Sequence, residues 1–282
     1  MLEKHVWRDY IFHKQTLREL SETYDKDQRT LRNILSRYRP PEKKHRPRDV
    51  YLVVDGTYFG ERKEDTSWCV IGARDPYEKE DLVWTFADTE TTSGYLVLRD
   101  ELENAGYIIK AVTGDGFSGI KTAFSGIPYQ MCHVHMERIV VRGTTKNPKT
   151  EQGQALLALV RTLHEGTDSH TFHTRLKAYW QICKPFLDEK TFNEDTGKWD
   201  WTHRPLRQAA TSLLHHEKYL FTFEHDRNIP KNTNSIEGHF KHVKRYLGQH
   251  SGTERTNAER ILHSLLLASS VSPTNDVLKK NL

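Results

Sequence analysis

Cysteine is scarce in this chain, and long apolar runs are absent from it. The 282 residues include only three widely spaced cysteines, Cys69, Cys132 and Cys183. An odd number of scattered cysteines argues against a disulfide framework and favours a reducing compartment. No apolar run approaches the ~18 residues that a membrane helix needs. The first ten residues, MLEKHVWRDY, lack the apolar segment of a secretory signal. We therefore expect a globular protein without a membrane partner.

The net charge is also small, at +4, but it is unevenly distributed along the chain. Residues 1–50 hold 13 Lys and Arg against 8 Asp and Glu, and residues 227–282 hold 9 against 4, so each end carries +5. Residues 51–226 hold 20 against 26 and carry −6. Two basic ends around an acidic middle predict an anionic partner, with nucleic acid as the first candidate. The alternative is that this uneven charge distribution is chance variation in composition over short segments.

Residues 1–38 predict a small helical domain. Apolar residues recur at helical spacing in two runs, over 17–24 and over 31–38. The polar break between the runs ends at Asp27, whose carboxylate is suited to cap the second helix. The pattern is typical of a helix-turn-helix DNA-binding domain, and a purely structural helical hairpin is the alternative. Four polar residues are expected on the exposed face of the second helix, where they would meet phosphates and base edges: Gln28, Arg29, Arg32 and Asn33.

Residues 39–49 predict a linker and a domain boundary. They include three prolines and five Lys or Arg residues, and too few apolar residues to fold alone. We interpret them as an extended basic segment that follows a phosphate backbone. The basic side chains expected to contact phosphates are Lys43, Lys44, Arg46 and Arg48.

From residue 50 onward the pattern changes to strands and helices of an α/β domain, expected to extend to residue 282. Val50–Val54 is a continuous apolar run, typical of a strand buried on both faces. Apolar runs over 68–73, 82–87, 107–113 and 129–132 predict four further strands, and helical patterns cover 93–104 and 118–124. This order predicts a mixed sheet with a ribonuclease H-like core. Residues 137–230 predict a helical insertion, with scaffolding and dimer contacts as its simplest role.

Two aspartates follow apolar strands in this pattern and precede a glycine. Asp55 comes after the first strand and Asp115 after the fourth. A carboxylate at such a place is costly when it is buried and unpaired, and a divalent cation is one means of compensation. Because Asp-Gly is also a common turn sequence, turn residues are the alternative for each aspartate alone.

A third carboxylate lies in the basic tail, in the stretch NTNSIEGHFKHVKRYL over 232–247. Its apolar residues recur at helical spacing, and Glu237, Lys241 and Lys244 line an adjacent stripe. A helix that docks on the sheet would place Glu237 near the strand ends. A Glu–Lys pair on the surface is the alternative.

These residues resemble the DDE motif of transposases and retroviral integrases. More narrowly, four stretches are similar to Mutator-type transposases of bacterial insertion sequences: DGTYFG, TGDGFSGI, MCHVHMER and NTNSIEGHFKHVKR. The segment over 199–214, WDWTHRPLRQAATSLL, is also similar to a motif of these transposases.

The resemblance implies that Asp55, Asp115 and Glu237 hold two Mg²⁺ or Mn²⁺ ions for cleavage and joining of DNA strands. It implies DNA-backbone contacts for Lys241 and Lys244, beside which lies Arg245. The expected partners are double-stranded DNA, as terminal inverted repeats and target, and further copies of the chain, because two DNA ends must be brought together. A cytoplasmic, nucleoid-associated location follows. A nuclease without strand transfer and an inert DNA-binding regulator are the alternative functions.

Two smaller groups of residues complete the set of candidates. Trp199 and Trp201 are candidates for stacking on an unpaired base, and His203 and Arg204 for phosphate contact, with buried anchoring of the insertion as the alternative. Cys132 and His135 have the spacing of half a zinc site, but no second pair accompanies them, so we expect a structural Cys-His pair and no zinc.

Overall fold

A computed structural model describes residues 2–60, 67–248 and 253–269. Residues 270–282, the end of the predicted catalytic domain, lie outside the described residues. None of the helices within the described ranges is both long and apolar enough to cross a bilayer.

Three short helices form the amino-terminal head: α1 (Leu2–Ile11), α2 (Leu17–Tyr24) and α3 (Gln28–Arg37). Thr16 and Glu19 form a capping box at the start of α2, which satisfies two exposed backbone N–H groups. Asp27 caps α3 as predicted, because its carboxylate accepts a hydrogen bond of 2.9 Å from the backbone N–H of Thr30. The sequence pattern did not indicate α1, which supplies Trp7 and Ile11 to the core.

Five strands form a mixed sheet in the order β3-β2-β1-β4-β5, so the predicted α/β class is confirmed. β2 runs antiparallel to both β1 and β3, whereas β4 and β5 run parallel to β1. Strands β1, β3, β4 and β5 therefore all end at the same edge of the sheet, called here the catalytic edge. The strands are β1 (Asp49–Phe59), β2 (Trp68–Asp75), β3 (Glu80–Ala87), β4 (Ile108–Gly114) and β5 (Tyr129–Met131).

The first strand is longer than its apolar run predicted. The expectation that β1 ends at Asp55 was wrong, because β1 continues to Phe59. Beyond Val53 it has no parallel partner in β4, but its antiparallel pairing with β2 continues through Asp55 and Gly56. Asp55 is thus held in a strand rather than in a turn.

Helices cover the sheet and form the insertion. After β3 and β4 come α4 (Thr92–Asn104) and α5 (Ser118–Ala123). After β5 come α6 (His133–Thr144), α7 (Glu151–Arg161), α8 (Ser169–Leu187) and α9 (Arg204–Leu220), and finally α10 (Asn234–Leu247) and α11 (Arg255–Ser269). Between α8 and α9 lies a hairpin that the sequence pattern did not indicate, β6 (Lys190–Asn193) with β7 (Lys198–Trp201). Its residues are mostly exposed, so they lack the apolar alternation by which a strand is recognised.

The two faces of the sheet belong to two hydrophobic clusters. Leu52 and Val54 of β1 pack with α4 and the insertion, whereas Val53 points to the opposite face, as strand alternation requires. On that opposite face, Val53 shares a cluster with the head, α10 and α11. The Trp7 indole N–H donates to Ser264 Oγ of α11 over 3.0 Å. The head and the sheet therefore share one core, although residues 39–48 between them have no regular secondary structure.

Candidate active site

Asp55 and Asp115 lie side by side at the catalytic edge. Val53 of β1 is paired with Thr113 of β4, so each aspartate comes two residues after a paired residue of adjacent parallel strands. Backbone N–H groups hold both carboxylates: Gly56 donates to Asp55 Oδ1 and Phe117 to Asp115 Oδ1, each over 2.9 Å. These hydrogen bonds give the two side chains defined orientations.

The environment of Asp55 disfavours its negative charge. Burial raises the pKa of Asp55 to about 8, and the carboxylates of Asp115, Glu237 and Glu90 act in the same direction. A divalent cation is commonly bound where carboxylates lie near one another and few positive charges neutralise them. The oxygen donors of these side chains are those that Mg²⁺ and Mn²⁺ prefer.

Glu237, near the start of α10, is turned towards α6. Its Oε2 accepts a hydrogen bond of 2.9 Å from Arg138, its Oε1 accepts one of 3.1 Å from Thr233 Oγ1, and His135 Nε2 lies 3.8 Å away. Burial alone would raise the pKa of Glu237, but Arg138 and His135 outweigh burial and hold the pKa below its usual value.

This orientation separates Glu237 from the other carboxylates. In the described part of the chain, no three His, Cys, Asp or Glu side chains are close enough together to hold a metal ion. A metal centre that includes all three predicted carboxylates therefore requires their side chains to rearrange. The carboxylate oxygens are suitable ligands for Mg²⁺ or Mn²⁺, but the three side chains are not arranged around one metal position.

Cys132 and His135 lie against the start of α10. Cys132 Sγ accepts a hydrogen bond of 3.4 Å from the backbone N–H of Thr233 and lies 3.4 Å from its hydroxyl, and His135 Nδ1 lies 3.3 Å from the same hydroxyl. Thr233 is fully buried. The Cys-His pair thus contacts the residue that precedes α10, and through it the segment that carries Glu237.

α10 is further attached to the sheet by a buried ionic network. Arg74 Nη1 of β2 donates to Asp81 Oδ1 of β3 over 2.7 Å, and Arg74 Nε donates to Ser235 Oγ of α10 over 3.1 Å. His239 Nε2, one turn further along α10, lies 2.8 Å from Asp81 Oδ2. Ser235 and His239 flank Glu237, so this network determines where the helix lies on the sheet.

Glu90 is a residue at this site that the sequence analysis missed. It lies between β3 and α4 at the catalytic edge, and its carboxylate accepts a hydrogen bond of 2.5 Å from the Tyr95 hydroxyl. The sequence does contain an indication of this residue, because Glu90 closely follows the apolar run of β3, as Asp55 and Asp115 follow the apolar runs of β1 and β4. Recognising it required the direction of β3, which spacing alone does not reveal.

The basic residues of α10 follow Glu237 along the helix. Lys244 lies over the ring of Phe59, at the end of β1, with 5.2 Å between its Nζ and the ring centroid. Burial lowers the pKa of Lys244, and the negative charge of Asp55 opposes this effect. Lys241 is exposed, and Arg245 is exposed and donates to His242.

The predicted DNA-contacting residues of the head and linker fall into two groups. The four candidates on α3 are exposed, as are Lys44 and Arg46. Lys43 and Arg48 instead form ion pairs with carboxylates at the end of β2 and the start of β3. Lys43 is 7% exposed and donates to Glu80 over 2.7 Å, and Arg48 pairs with Asp75 and Glu80 over 2.8 Å. The charges of these two residues are compensated within the chain, and their contact with phosphate stays a prediction.

The four candidate residues in and after the insertion hairpin also differ in their exposure and contacts. Trp199 is 64% exposed and borders a cavity of about 850 Å³ that Arg204 and Trp201 also line. The ring of Trp201 is covered by Lys190 and Arg207, with 4.5 and 4.1 Å to its centroid. His203 stacks on Phe186 at 3.7 Å and contacts Glu189 over 2.9 Å. His203 is thus fixed by contacts within the chain, and its contact with phosphate stays a prediction.

Comparison with known proteins gives one match to a family. Residues 53–252, which are 200 of the 282 residues, match the model of the IS66 family of transposases. No curated protein matches the chain. The match supports a DDE transposase, but the Mutator-type subgroup is not supported, because the matching model is that of a different family.

Proposed function

Because the chain belongs to the IS66 family of transposases, we propose that it binds the ends of a mobile DNA element and catalyses metal-dependent cleavage and transfer of DNA strands. The observation that carries this proposal is the arrangement of Asp55 and Asp115 on adjacent parallel strands, with Glu237 on the helix beside them. The strand order and directions also support a ribonuclease H-like core.

The proposed metal ligands are Asp55, Asp115 and Glu237. These carboxylates would hold two Mg²⁺ or Mn²⁺ ions, which would supply Lewis-acid activation of the attacking hydroxyl and stabilisation of the leaving 3′ oxygen. The hydrogen bonds from Gly56 and Phe117 orient the two aspartates. Arg138 neutralises the charge of Glu237 in this structure. Lys244, close to Asp55, is placed to hold a phosphate next to the centre.

We further propose that DNA contacts α3 through Gln28, Arg29, Arg32 and Asn33, the linker through Lys44 and Arg46, and α10 through Lys241, Lys244 and Arg245. The two arginines of α3 are exposed on a helix whose apolar side is buried in the core. Such a helix fits the major groove, with guanidinium groups on phosphates or guanine edges. Assembly into a dimer or larger complex belongs to the same proposal.

The α3 surface makes a prediction about salt. Loss of two phosphate contacts in the double variant Arg29→Ala/Arg32→Ala should reduce the slope of log affinity against log salt by roughly 2, since each contact contributes about 0.9. The measurement is DNA binding by fluorescence anisotropy over a salt series. A matched control is Arg161→Ala/Arg175→Ala on α7 and α8, which should keep the wild-type slope. An unchanged slope in the α3 variant would remove α3 from the DNA interface.

This pair of substitutions is a cleaner test than deletion of the head. Deletion of residues 1–48 would expose Val53 and the apolar face of α10, which pack against the head. It would therefore confuse a loss of DNA contacts with a loss of stability.

For the hairpin, we propose that Trp199 stacks on an unpaired base and that Arg204 binds an adjacent phosphate. Base stacking on an aromatic ring contributes about 1–3 kcal/mol, so Trp199→Ala should weaken binding of single-stranded ends by about 5- to 150-fold. Trp199→Phe should retain most of the affinity. Ile182→Ala, an exposed apolar side chain on α8, serves as the control. Equal affinities of Trp199→Ala and wild type for oligonucleotides with unpaired ends would contradict this role.

One assay tests the overall function. Purified protein is incubated with Mg²⁺, a supercoiled target plasmid and pre-nicked DNA that carries the sequences flanking its gene. Joined products are then scored by gel electrophoresis. Joining of the DNA end to the plasmid supports the transposase. Cleavage without joining indicates a nuclease, and binding with neither reaction indicates a regulator.

A further inference from the structure

The outward face of α9 is polar and free of acidic side chains. The apolar side of this helix is buried in the core. Opposite that side, at spacings of three and four residues, lie five exposed side chains: Arg204, Gln208, Thr211, His215 and Lys218. The one acidic residue of α9, Glu217, lies outside this row, and its carboxylate is 2.8 Å from His173 Nδ1 of α8. The five residues, called here the α9 stripe, therefore offer positive charge and hydrogen-bond donors without a competing negative charge.

One end of the α9 stripe borders the cavity beside the insertion hairpin. The cavity of about 850 Å³ is lined by Arg204, Gln208 and Thr211 of the stripe together with Trp199. The ring of Trp199 is exposed and meets Phe192 edge-on, with 5.5 Å between the ring centroids. An exposed aromatic ring beside polar side chains is suited to the face of a nucleobase, with the polar groups close to the edge of the base.

The other end of the α9 stripe meets a second cation. Lys218 Nζ lies 4.9 Å from the ring centroid of Tyr219, and Lys121 Nζ of α5 lies 4.8 Å from the same centroid. Across the part of the chain that the structure describes, no carboxylate lies within 4 Å of either ammonium group. Two uncompensated positive charges on one aromatic ring are suited to the phosphates of a nucleic acid.

This pair of lysines lies beside the catalytic edge. Tyr219 packs edge-on against Tyr129 of β5, with 5.5 Å between the ring centroids. The Tyr129 hydroxyl accepts a hydrogen bond of 3.0 Å from the backbone N–H of Gly116, the residue after Asp115. α9 itself also reaches this point, because a Cβ atom on Gly116 would lie 3.4 Å from His216 Cε1. The α9 stripe therefore extends from the hairpin cavity to the segment that carries Asp115.

The length of the α9 stripe sets a spacing along the DNA. Lys218 follows Arg204 by 14 residues, so the stripe is about 21 Å long at a rise of about 1.5 Å per residue. A stacked nucleotide strand advances by about 3.4 Å per nucleotide. The stripe is therefore as long as about six stacked nucleotides.

We infer that the α9 stripe binds one strand of a DNA end between the catalytic edge and the hairpin cavity. Lys121 and Lys218 contact phosphates next to the cleaved bond, and Gln208 and Thr211 contact the strand further along. An unpaired base about six nucleotides from the cleaved bond stacks on Trp199. The base must be unpaired, because neighbouring bases cover its faces in a continuous duplex. The inference takes from the proposed function that the chain binds DNA, and it adds the path of the strand and the spacing.

The spacing is tested with pre-nicked DNA ends that differ only in the position of one unpaired base. A base opposite an abasic site, in either strand, is placed about two, about six or about twelve nucleotides from the nick. The wild type should bind the middle substrate about 5- to 150-fold more tightly than the other two, as measured by fluorescence anisotropy without Mg²⁺. Trp199→Ala should bind all three alike. Equal affinities of the wild type for the three substrates, or a preference that persists in Trp199→Ala, would overturn the inference.

The two lysines are tested separately through the salt dependence of binding. Lys121→Gln/Lys218→Gln keeps aliphatic groups on the Tyr219 ring and removes both charges. The slope of log affinity for an oligo-dT strand against log salt should fall by roughly 1.4, since each phosphate contact with a single strand contributes about 0.7. The matched control is Lys110→Gln/Arg175→Gln, two exposed cations at the start of β4 and on α8, which should keep the wild-type slope. An unchanged slope in the lysine variant, or a loss of affinity for blunt duplex DNA alone, would contradict the assigned strand path.

The joining assay separates this inference from the proposed function. Normal joining by the wild type, with no effect of the position of the unpaired base on binding, refutes the α9 path alone. Position-dependent binding that requires Trp199, in a protein that joins no DNA, supports the α9 path and refutes the proposed strand transfer.

Discussion

Asp115→Asn is expected to reduce both DNA cleavage and strand joining by on the order of 1,000-fold, which corresponds to a loss of about 4 kcal/mol of transition-state stabilisation. Asparagine keeps the size of the side chain and the oxygen that accepts from the Phe117 N–H. It removes the negative charge that would bind a cation. The fold should therefore persist while the chemistry fails.

The control for this prediction is Asp100→Asn, an exposed carboxylate on α4, which should retain wild-type rates. DNA binding measured without metal should be the same for Asp115→Asn and the wild type. A variant that still cleaves and joins at near the wild-type rate would show that Asp115 is a turn residue, the alternative that the Asp-Gly sequence left open. Loss of DNA binding together with activity would instead indicate damage to the fold.

The second large effect is expected from Arg74→Met, which should lower the free energy of unfolding by about 3–5 kcal/mol. Arg74 and Asp81 form a buried ion pair, and both also contact α10. Removal of one partner leaves the other charge buried without compensation, which costs much more than the intact pair contributes. Because Ser235 and His239 on α10 belong to this network, activity that depends on Glu237 should fall as well.

Urea unfolding of the full-length protein measures this effect. Arg18→Met, in an exposed pair with Glu22 whose side chains are 84% and 69% exposed, should change the free energy by less than about 0.5 kcal/mol. The double variant Arg74→Met/Asp81→Leu should recover part of the loss, because it leaves no buried charge unpaired on the sheet. A change below about 1 kcal/mol in Arg74→Met would contradict the role assigned to the network.

Strands and helices with strong local patterns were predictable. The apolar run at Val50–Val54, the helical spacing of the head and the cap at Asp27 all depend on neighbours in sequence, and each occurs in the structure. The end of β1 was not predictable, because it depends on continued pairing with β2. The exposed hairpin of the insertion likewise lacks the pattern by which a strand is recognised.

For the candidate site, aspartates that follow apolar runs were a better guide to position than the number of basic residues was to DNA contacts. Asp55 and Asp115 were recognised because both follow apolar strands, and parallel neighbours bring such residues to one edge. Lys43 and Arg48 lie in the same basic segment as Lys44 and Arg46. The structure shows that Lys43 and Arg48 form ion pairs with the carboxylates of Glu80 and Asp75. No sequence pattern carries that information, because the partners are more than 25 residues away.

Sequence alone determined the strands and helices with strong local patterns, the charged ends around an acidic middle, and the three carboxylates that resemble a DDE motif. These properties follow from local spacing and residue chemistry, which are readable along one chain. Only the tertiary structure decided that the head shares a core with the sheet, that Glu237 is bound to Arg138 and that the Glu90 carboxylate lies against Gly56. Burial, ion pairing and close contact arise between segments that are distant in sequence, so they depend on strand order and direction rather than on spacing.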